Sequence, residues 1–311
     1  MAKNLLNKYV WLVETIYKAK RISFEDICQR WLDNDLSEGK PMSVRTFHKW
    51  RIAIEEMFGL IIENEHGGKY RYYIENEEEI CQNGLRSWIY NSFCVGNALV
   101  ESQSIKDRIQ LEYVPSGQDH LQSIIEAMKE NRVLKITYHS YWKDEESNYD
   151  VHPYCVKLYR QRWYMVARCT LPDYYDKGPR IYSLDRIIHL HIKEETFEMS
   201  KDWSANDYFD GFFGIIVEQD VAQETVRLKV SARQANYIRD LKMHKSQKEV
   251  ERNEKYSVFE YFLRPTFDFE QEILWNGEEM EVLEPIWLRK VMAAKTKRMC
   301  DMYQPKTGST D

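Results

Sequence analysis

The sequence predicts an α+β chain built from several modules, and three observations lead there. A run of three amphipathic helices closes with a hairpin signal. A dense series of short strand patterns follows between Leu134 and Phe197. The last third then reads strand–helix–strand–strand–helix–strand and ends in a long helix. With 311 residues the chain is long enough for two or three domains, each with its own core.

Leu5, Tyr9, Leu12, Ile16 and Ala19 recur at spacings of four and three, which makes a first helix over 4–19. Ser23 stands as an N-cap before Glu25 and Asp26, opening a helix through Ile27, Trp31 and Leu32. Asp33-Asn34-Asp35 and Gly39-Lys40-Pro41 break the chain. Ser43 caps a third helix that runs to about Phe58 and ends at Gly59. Gly67-Gly68 between two strand-like runs is a two-residue hairpin signal. Three helices and a hairpin in this order make a winged helix-turn-helix, placed at 1–76.

Glu77-Glu78-Glu79 marks the start of a helical linker, 77–117, with a helix over 85–100. A helix over 118–131 then precedes strands at 134–141, 149–159, 162–170 and 180–190, a spacing that implies a small barrel or a strongly curved sheet within 118–200. The remainder, 201–311, has strands at 224–231, 248–252, 257–264 and 280–283. Helices at 233–241, 267–275 and 286–303 complete a compact α+β module. The stripe from Leu288 to Met302 reads as core or dimer packing.

The formal net charge is −6, so no global field draws the chain to nucleic acid, and any such binding must come from a local patch. Aromatic residues at 14% argue for folded domains rather than disorder. Six scattered cysteines without a Cys-x-x-Cys pair speak against a structural zinc site and for a reduced, cytoplasmic setting. No signal-peptide pattern and no apolar run of about 18 residues is present, so a soluble protein without a membrane partner is expected.

On a helical wheel, Val44, Phe47, Ile54 and Phe58 cluster, with Trp50 and Met57 at the border. Arg45, Thr46 and Lys49 fall largely opposite. Residues 40–51 contain no acid in a chain with more acids than bases. Setting Gly67-Gly68 at the turn pairs His66 with Lys69 and Asn64 with Arg71, giving the wing one polar, basic face. The candidate DNA contacts are therefore Ser43, Arg45, Thr46, His48, Lys49, Lys69 and Arg71, the helix facing a major groove and the wing facing phosphates. The plainer alternative is a solvated helix face beside an ordinary turn. Arg51 projects near the core side and stays ambiguous.

Strand alternation places Arg162, Tyr164, Val166 and Arg168 on one face, and Trp163, Met165 and Ala167 on the other. The same alternation groups Arg180, Tyr182, Leu184 and Arg186, with Asp185 projecting to the opposite face. Four arginines gathered on one face repel each other unless acids or a bound anion intervene, so a phosphate-bearing ligand is a natural counter-charge. The alternative is an outer sheet face with carboxylates folded over it.

Here the chain resembles a known family. Trp163-Tyr164-Met165 is similar to the Trp-Tyr-Leu signature of WYL domains, with His152-Pro153-Tyr154 before it. Residues 180–187, Arg-Ile-Tyr-Ser-Leu-Asp-Arg-Ile, are similar to that family's Arg-x-Phe/Tyr-x-Leu-Asp-Arg-Ile segment. The resemblance covers 118–200 and, with the flanking modules, the family's full layout. It implies a small Sm-like or SH3-like β-barrel that senses nucleotide or nucleic-acid ligands in homodimeric transcriptional regulators. By motif position it implies His152, Tyr154, Arg168, Arg180 and Arg186 as ligand contacts; Tyr141, Tyr164 and Tyr182 complete the candidate set. Met165 in place of leucine conserves volume.

The expected function is a ligand-responsive, DNA-binding transcriptional regulator. Its partners would be a double-stranded operator, a nucleotide or oligonucleotide, and a second copy of itself through 201–311. No cofactor, metal or catalysis is expected, since His189-x-His191 lacks a third ligand at a defined spacing and no catalytic motif occurs. The alternatives are an RNA- or single-strand-binding protein and a regulatory subunit of an enzyme.

Overall fold

The computed structural model describes residues 2–65, 70–81, 85–101, 107–110, 117–141 and 145–304. They divide into two units, Met1–Glu112 and Tyr113–Asp311. Among the described residues the fold is α+β, with three antiparallel sheets.

The first unit contains α1 (Ala2–Ala19), β1 (Ile22–Ser23), α2 (Phe24–Leu32), α3 (Val44–Phe58), β2 (Ile62–Asn64), β3 (Arg71–Ile74), α4 (Glu78–Cys81) and α5 (Leu85–Glu101). Serine caps start two of these helices. Ser23 Oγ accepts from the Asp26 amide and Ser43 Oγ from the Thr46 amide, both at 3.1 Å. Such a cap satisfies a backbone donor that a helix start leaves open. Gly59, at φ 68°, ends α3 in the left-handed region where glycine is favoured. Phe47, Trp50, Ile54 and Phe58 bury one side of α3 against Leu12, Ile16 and Ile27, and each fully buried phenylalanine contributes roughly 2–3 kcal/mol. Val44 and Met57 are exposed instead of joining that side.

The wing is a three-stranded sheet of order β1-β3-β2. Its register differs by one residue from the expected one: Asn64 faces Tyr72, not Arg71. The packed face decides this, because only this register puts Ile62, Tyr72 and Ile74 together in the core. The turn expected at Gly67-Gly68 lies outside the described residues, as do His66 and Lys69.

The second unit opens with α6 (Gln118–Lys129). A five-stranded sheet follows: β4 (Arg132–Tyr138), β5 (Ser147–Tyr159), β6 (Arg162–Cys169), β7 (Arg180–Ser183) and β8 (Ile187–Thr196), with the one-turn helix α7 (Pro172–Tyr175) after β6. The order β7-β6-β5-β4-β8 leaves β7 and β8 as edges joined by a 3-10 turn at Leu184–Arg186. The sheet is therefore open, and the closed barrel implied by the resemblance is not formed among the described residues. The 3-10 turn also interrupts the single strand expected over 180–190. Ile124 and Ala127 of α6 pack on Leu134, Ile136, Met165 and Ala167.

After α8 (Ala205–Tyr208) come β9 (Glu224–Ser231), α9 (Ala232–Asp240), β10 (Lys248–Arg252), β11 (Tyr256–Leu263), α10 (Phe267–Asn276), β12 (Met280–Glu284) and α11 (Ile286–Tyr303). This is the expected βαββαβ order, in an antiparallel sheet β10-β11-β9-β12. Leu288 and Met292 of α11 enter its core, whereas Met299, Met302 and Tyr303 are exposed. No helix among the described residues is long and apolar enough to cross a membrane.

Candidate DNA-reading helix and ligand site

The capped start of α3 presents Arg45, His48 and Lys49 to solvent, with Thr46 half-buried beside the Ser43 hydroxyl at 2.8 Å. Among the described residues no carboxylate pairs with Arg45 or Lys49. Uncompensated cations on a helix face that a polyanion could meet are the arrangement that phosphate attraction requires. Arg51 does something else. It donates to the Ile62 carbonyl, stands 5.5 Å from the Tyr72 ring centre and lies 3.8 Å from Glu63, tying α3 to the wing. Arg71 is exposed, opposite Ser23 of β1, and the register change removes it from the face of Asn64.

The arginine–aromatic constellation divides into three places. Pairing of β6 with β7 sets Met165 opposite Tyr182 and Ala167 opposite Arg180. Arg180 and Tyr182 thus lie on the α6 side of the sheet, while Arg162, Tyr164 and Arg168 lie on the other. The single face expected for all of them does not form, because the register of a four-residue edge strand is set by its partner.

On the face away from α6, His152 lies opposite Arg168. Tyr154 sits where a bulge between Pro153 and Cys155 shifts the register. The His152 ring stacks on Phe197 at 4.5 Å and 5°, and Trp203 meets Tyr154 edge-on at 5.1 Å. The Arg168 guanidinium stands 5.0 Å from the Tyr175 ring centre, and its Nε is buried without a hydrogen-bond partner. No carboxylate among the described residues pairs with Arg168. Burial, and then Arg168, lowers the His152 pKa below its ordinary value; burial raises that of Tyr154. A cation flanked by flat rings and a neutral imidazole can hold an anionic, planar ligand. Tyr175, Phe197 and Trp203 were not expected here, since they come from the connections after β6 and β8 and no strand pattern points to them.

On the α6 side, Arg180 stands 4.5 Å from the Tyr174 ring centre at the sheet edge. Tyr182 is core: it packs on Tyr138 and Tyr149 at 5.3 and 6.2 Å and is only 4% exposed, which removes it from the ligand contacts. The third place surrounds the 3-10 turn. Asp185 pairs with Arg162 and accepts the Ser183 hydroxyl, so it supplies the counter-charge expected from a ligand. Tyr164, 9% exposed, is packed near this pair, and Arg186 lies 3.7 Å from the exposed Tyr141 ring. Among the described residues no group of three or more His, Cys, Asp or Glu side chains could hold a metal ion.

Comparison with known proteins agrees with the motifs. The WYL domain family model matches residues 119–192 and the WCX domain family model residues 222–300. No curated protein matches the chain. Among solved structures, proteasome accessory factor B/C (PafBC) of Arthrobacter aurescens is 15% identical with a TM-score of 0.40, over 98% of this chain and 48% of that one. A CRISPR Cas-related protein is 11% identical with a TM-score of 0.42, over 86% of this chain and 75% of that one. The chain thus spans about half the length of the first of these two.

Proposed function

We propose that this chain, which has the WYL-then-WCX architecture of WYL-domain regulators, is a ligand-responsive transcriptional regulator that binds double-stranded DNA as a homodimer. Residues 1–76 read DNA, 77–117 link, 118–200 sense a ligand and 201–311 dimerise. Arg45, Thr46, His48 and Lys49 approach base edges, with Ser43 at the helix start and Lys69 and Arg71 of the wing on phosphates. The observation that carries this reading is the exposed, acid-free start of α3 in a chain of net charge −6. The exposed Met299, Met302 and Tyr303 support the assignment of the C-terminal module to dimer contacts.

The ligand is a nucleotide or nucleic-acid-derived anion held by His152, Tyr154 and Arg168, while Arg180 and Arg186 lie in separate places on the other face and at the 3-10 turn. The ligand acts by binding one of two dimer arrangements more tightly than the other, which is the only way a ligand can shift an equilibrium. The protein acts in the cytoplasm and without catalysis. Mass spectrometry of species that copurify with the full chain tests the sensing half: a nucleotide or oligonucleotide is expected, and its retention by Arg168→Ala removes the site. A preference for single strands over duplex favours the alternative, direct single-strand binding by the aromatic and arginine face.

A further inference from the structure

The sheet face that carries Arg168 also carries Lys157, opposite Tyr164. The Lys157 ammonium stands 3.8 Å from the Phe209 ring centre and donates to the Gly214 carbonyl. Gly214 has φ +93°, and a Cβ there would fall 2.6 Å from Asp268 Oδ2. That same oxygen accepts the amides of Ile215 and Ile216, at 2.8 and 2.7 Å. At the other end, the Arg264 amide donates to the Gly211 carbonyl at 2.7 Å, and the Arg264 guanidinium stands 5.1 Å from the Phe212 ring centre. Segment 211–216 is thereby fastened to the C-terminal module, and Lys157 fastens the WYL sheet to that segment. An Arg160–Glu272 pair joins the β5–β6 turn to α10 nearby.

Lys157 has no carboxylate partner among the described residues. Burial pulls its pKa down to about 8, against Asp268 and Cys155. Its charge therefore depends on Phe209 and Gly214 staying in place. A run of rings connects that place with the Arg168 cluster. Tyr154 meets Trp203 at 5.1 Å, Trp203 meets Tyr208 at 6.0 Å, and Tyr208 meets Phe209 at 5.0 Å. Packed rings rearrange in discrete steps rather than by continuous deformation, so a shift at one end alters the seat at the other.

We propose that Lys157 is the positioning residue that seats the C-terminal module on the WYL sheet, and that the Trp203–Tyr208–Phe209 run makes this seat respond to occupancy of the Arg168 cluster. The proposal rests on reading that cluster as the ligand site. A planar anion drawn to Arg168 settles against His152 and Tyr154. Movement of Tyr154 shifts Trp203 and then Phe209, the ring on which Lys157 rests. By reciprocity, loosening Lys157 alters the cluster.

Reciprocity allows a test on the full chain without ligand. Lys157→Met is expected to speed hydrogen exchange of the Ile215 and Ile216 amides about tenfold, the scale of one lost charge-assisted hydrogen bond. It is also expected to shift the His152 ring resonances at the far end of the run. Lys157→Arg keeps both near wild type. With Trp203→Leu in place, Lys157→Met still speeds the exchange but no longer moves His152. Unchanged exchange in Lys157→Met, or faster exchange with His152 unmoved, overturns the proposal. Failure of the ligand reading shows separately, as equal binding of a 5′-phosphorylated thymidine oligonucleotide by the wild-type chain and Arg168→Ala, and it removes the response to ligand whatever the exchange shows.

Discussion

Replacing Asp185 by leucine is expected to cost about 3–4 kcal/mol of stability in the second unit. The Asp185 carboxylate is 11% exposed and its partner Arg162 29% exposed. Removing one member of a buried pair costs about 3–5 kcal/mol, and the partial exposure of Arg162 reduces this to about 2–3 kcal/mol. The Ser183 hydroxyl, on a residue 3% exposed, loses its acceptor and adds about 1 kcal/mol. Urea unfolding of the full chain, followed by a probe in the sheet, measures the difference as a lowered midpoint at constant slope. The double variant Arg162→Met/Asp185→Leu is expected to be more stable than Asp185→Leu alone, because no guanidinium is then left stranded. A single-variant cost below about 0.5 kcal/mol, the range of exposed pairs, refutes the reasoning. Arg162 would then be free to meet a ligand, as strand alternation alone predicts.

Further outcomes follow from the same geometry. Gly117→Ala should destabilise the second unit by about 2–4 kcal/mol, since φ is +68° and the new Cβ would lie 2.5 Å from the Asp185 amide nitrogen and from Leu184 Cβ; a thermal midpoint within a degree of wild type would contradict it. Ser43→Ala should cost about 1 kcal/mol in the first unit through loss of the cap on the Thr46 amide, and Ser43→Asp should recover the stability measured by denaturant while weakening DNA binding. His152 has a folded-state pKa below its unfolded value of 6.5. The unfolded chain therefore takes up the proton first, and this residue's contribution to stability falls as pH drops through about 6.5. A bound anion reverses the shift, so affinity for a phosphate-bearing probe should rise on acidification over the same range, and His152→Gln should flatten both trends; equal pH profiles for the two proteins would contradict the assignment.

Local chemistry made much of the fold legible. Ser23 and Ser43 mark helix starts, Gly59 marks a helix end, and the apolar spacing of α3 identifies Phe47, Ile54 and Phe58 as its packed side. The WYL motifs likewise locate a sheet and its helix-facing residues, Met165 and Ala167. Register was not legible, because it is a non-local choice. In the wing, burial of Ile62, Tyr72 and Ile74 sets the strand pairing and moves Arg71 off the face of Asn64. In the WYL sheet, a 3-10 turn at Leu184–Arg186 breaks the alternation that grouped Arg180, Tyr182 and Arg186. Asp185 then reaches Arg162, and Arg168 keeps company with Tyr175, Phe197 and Trp203 from distant connections. Arg51 shows the same limit at one residue, where position on the wheel could not separate a phosphate contact from a brace.

The salt dependence of duplex binding by the full chain tests the DNA-binding claim most directly. Each phosphate neutralised contributes about −0.9 to the slope of log K against log salt. Arg45→Ala/Lys49→Ala should weaken binding at low salt and make the slope shallower by about 1–2, with Lys157→Arg as a folded control that leaves both unchanged. Identical affinity and slope for the double variant and wild type at every salt concentration would contradict the assignment of α3 as the DNA-reading helix.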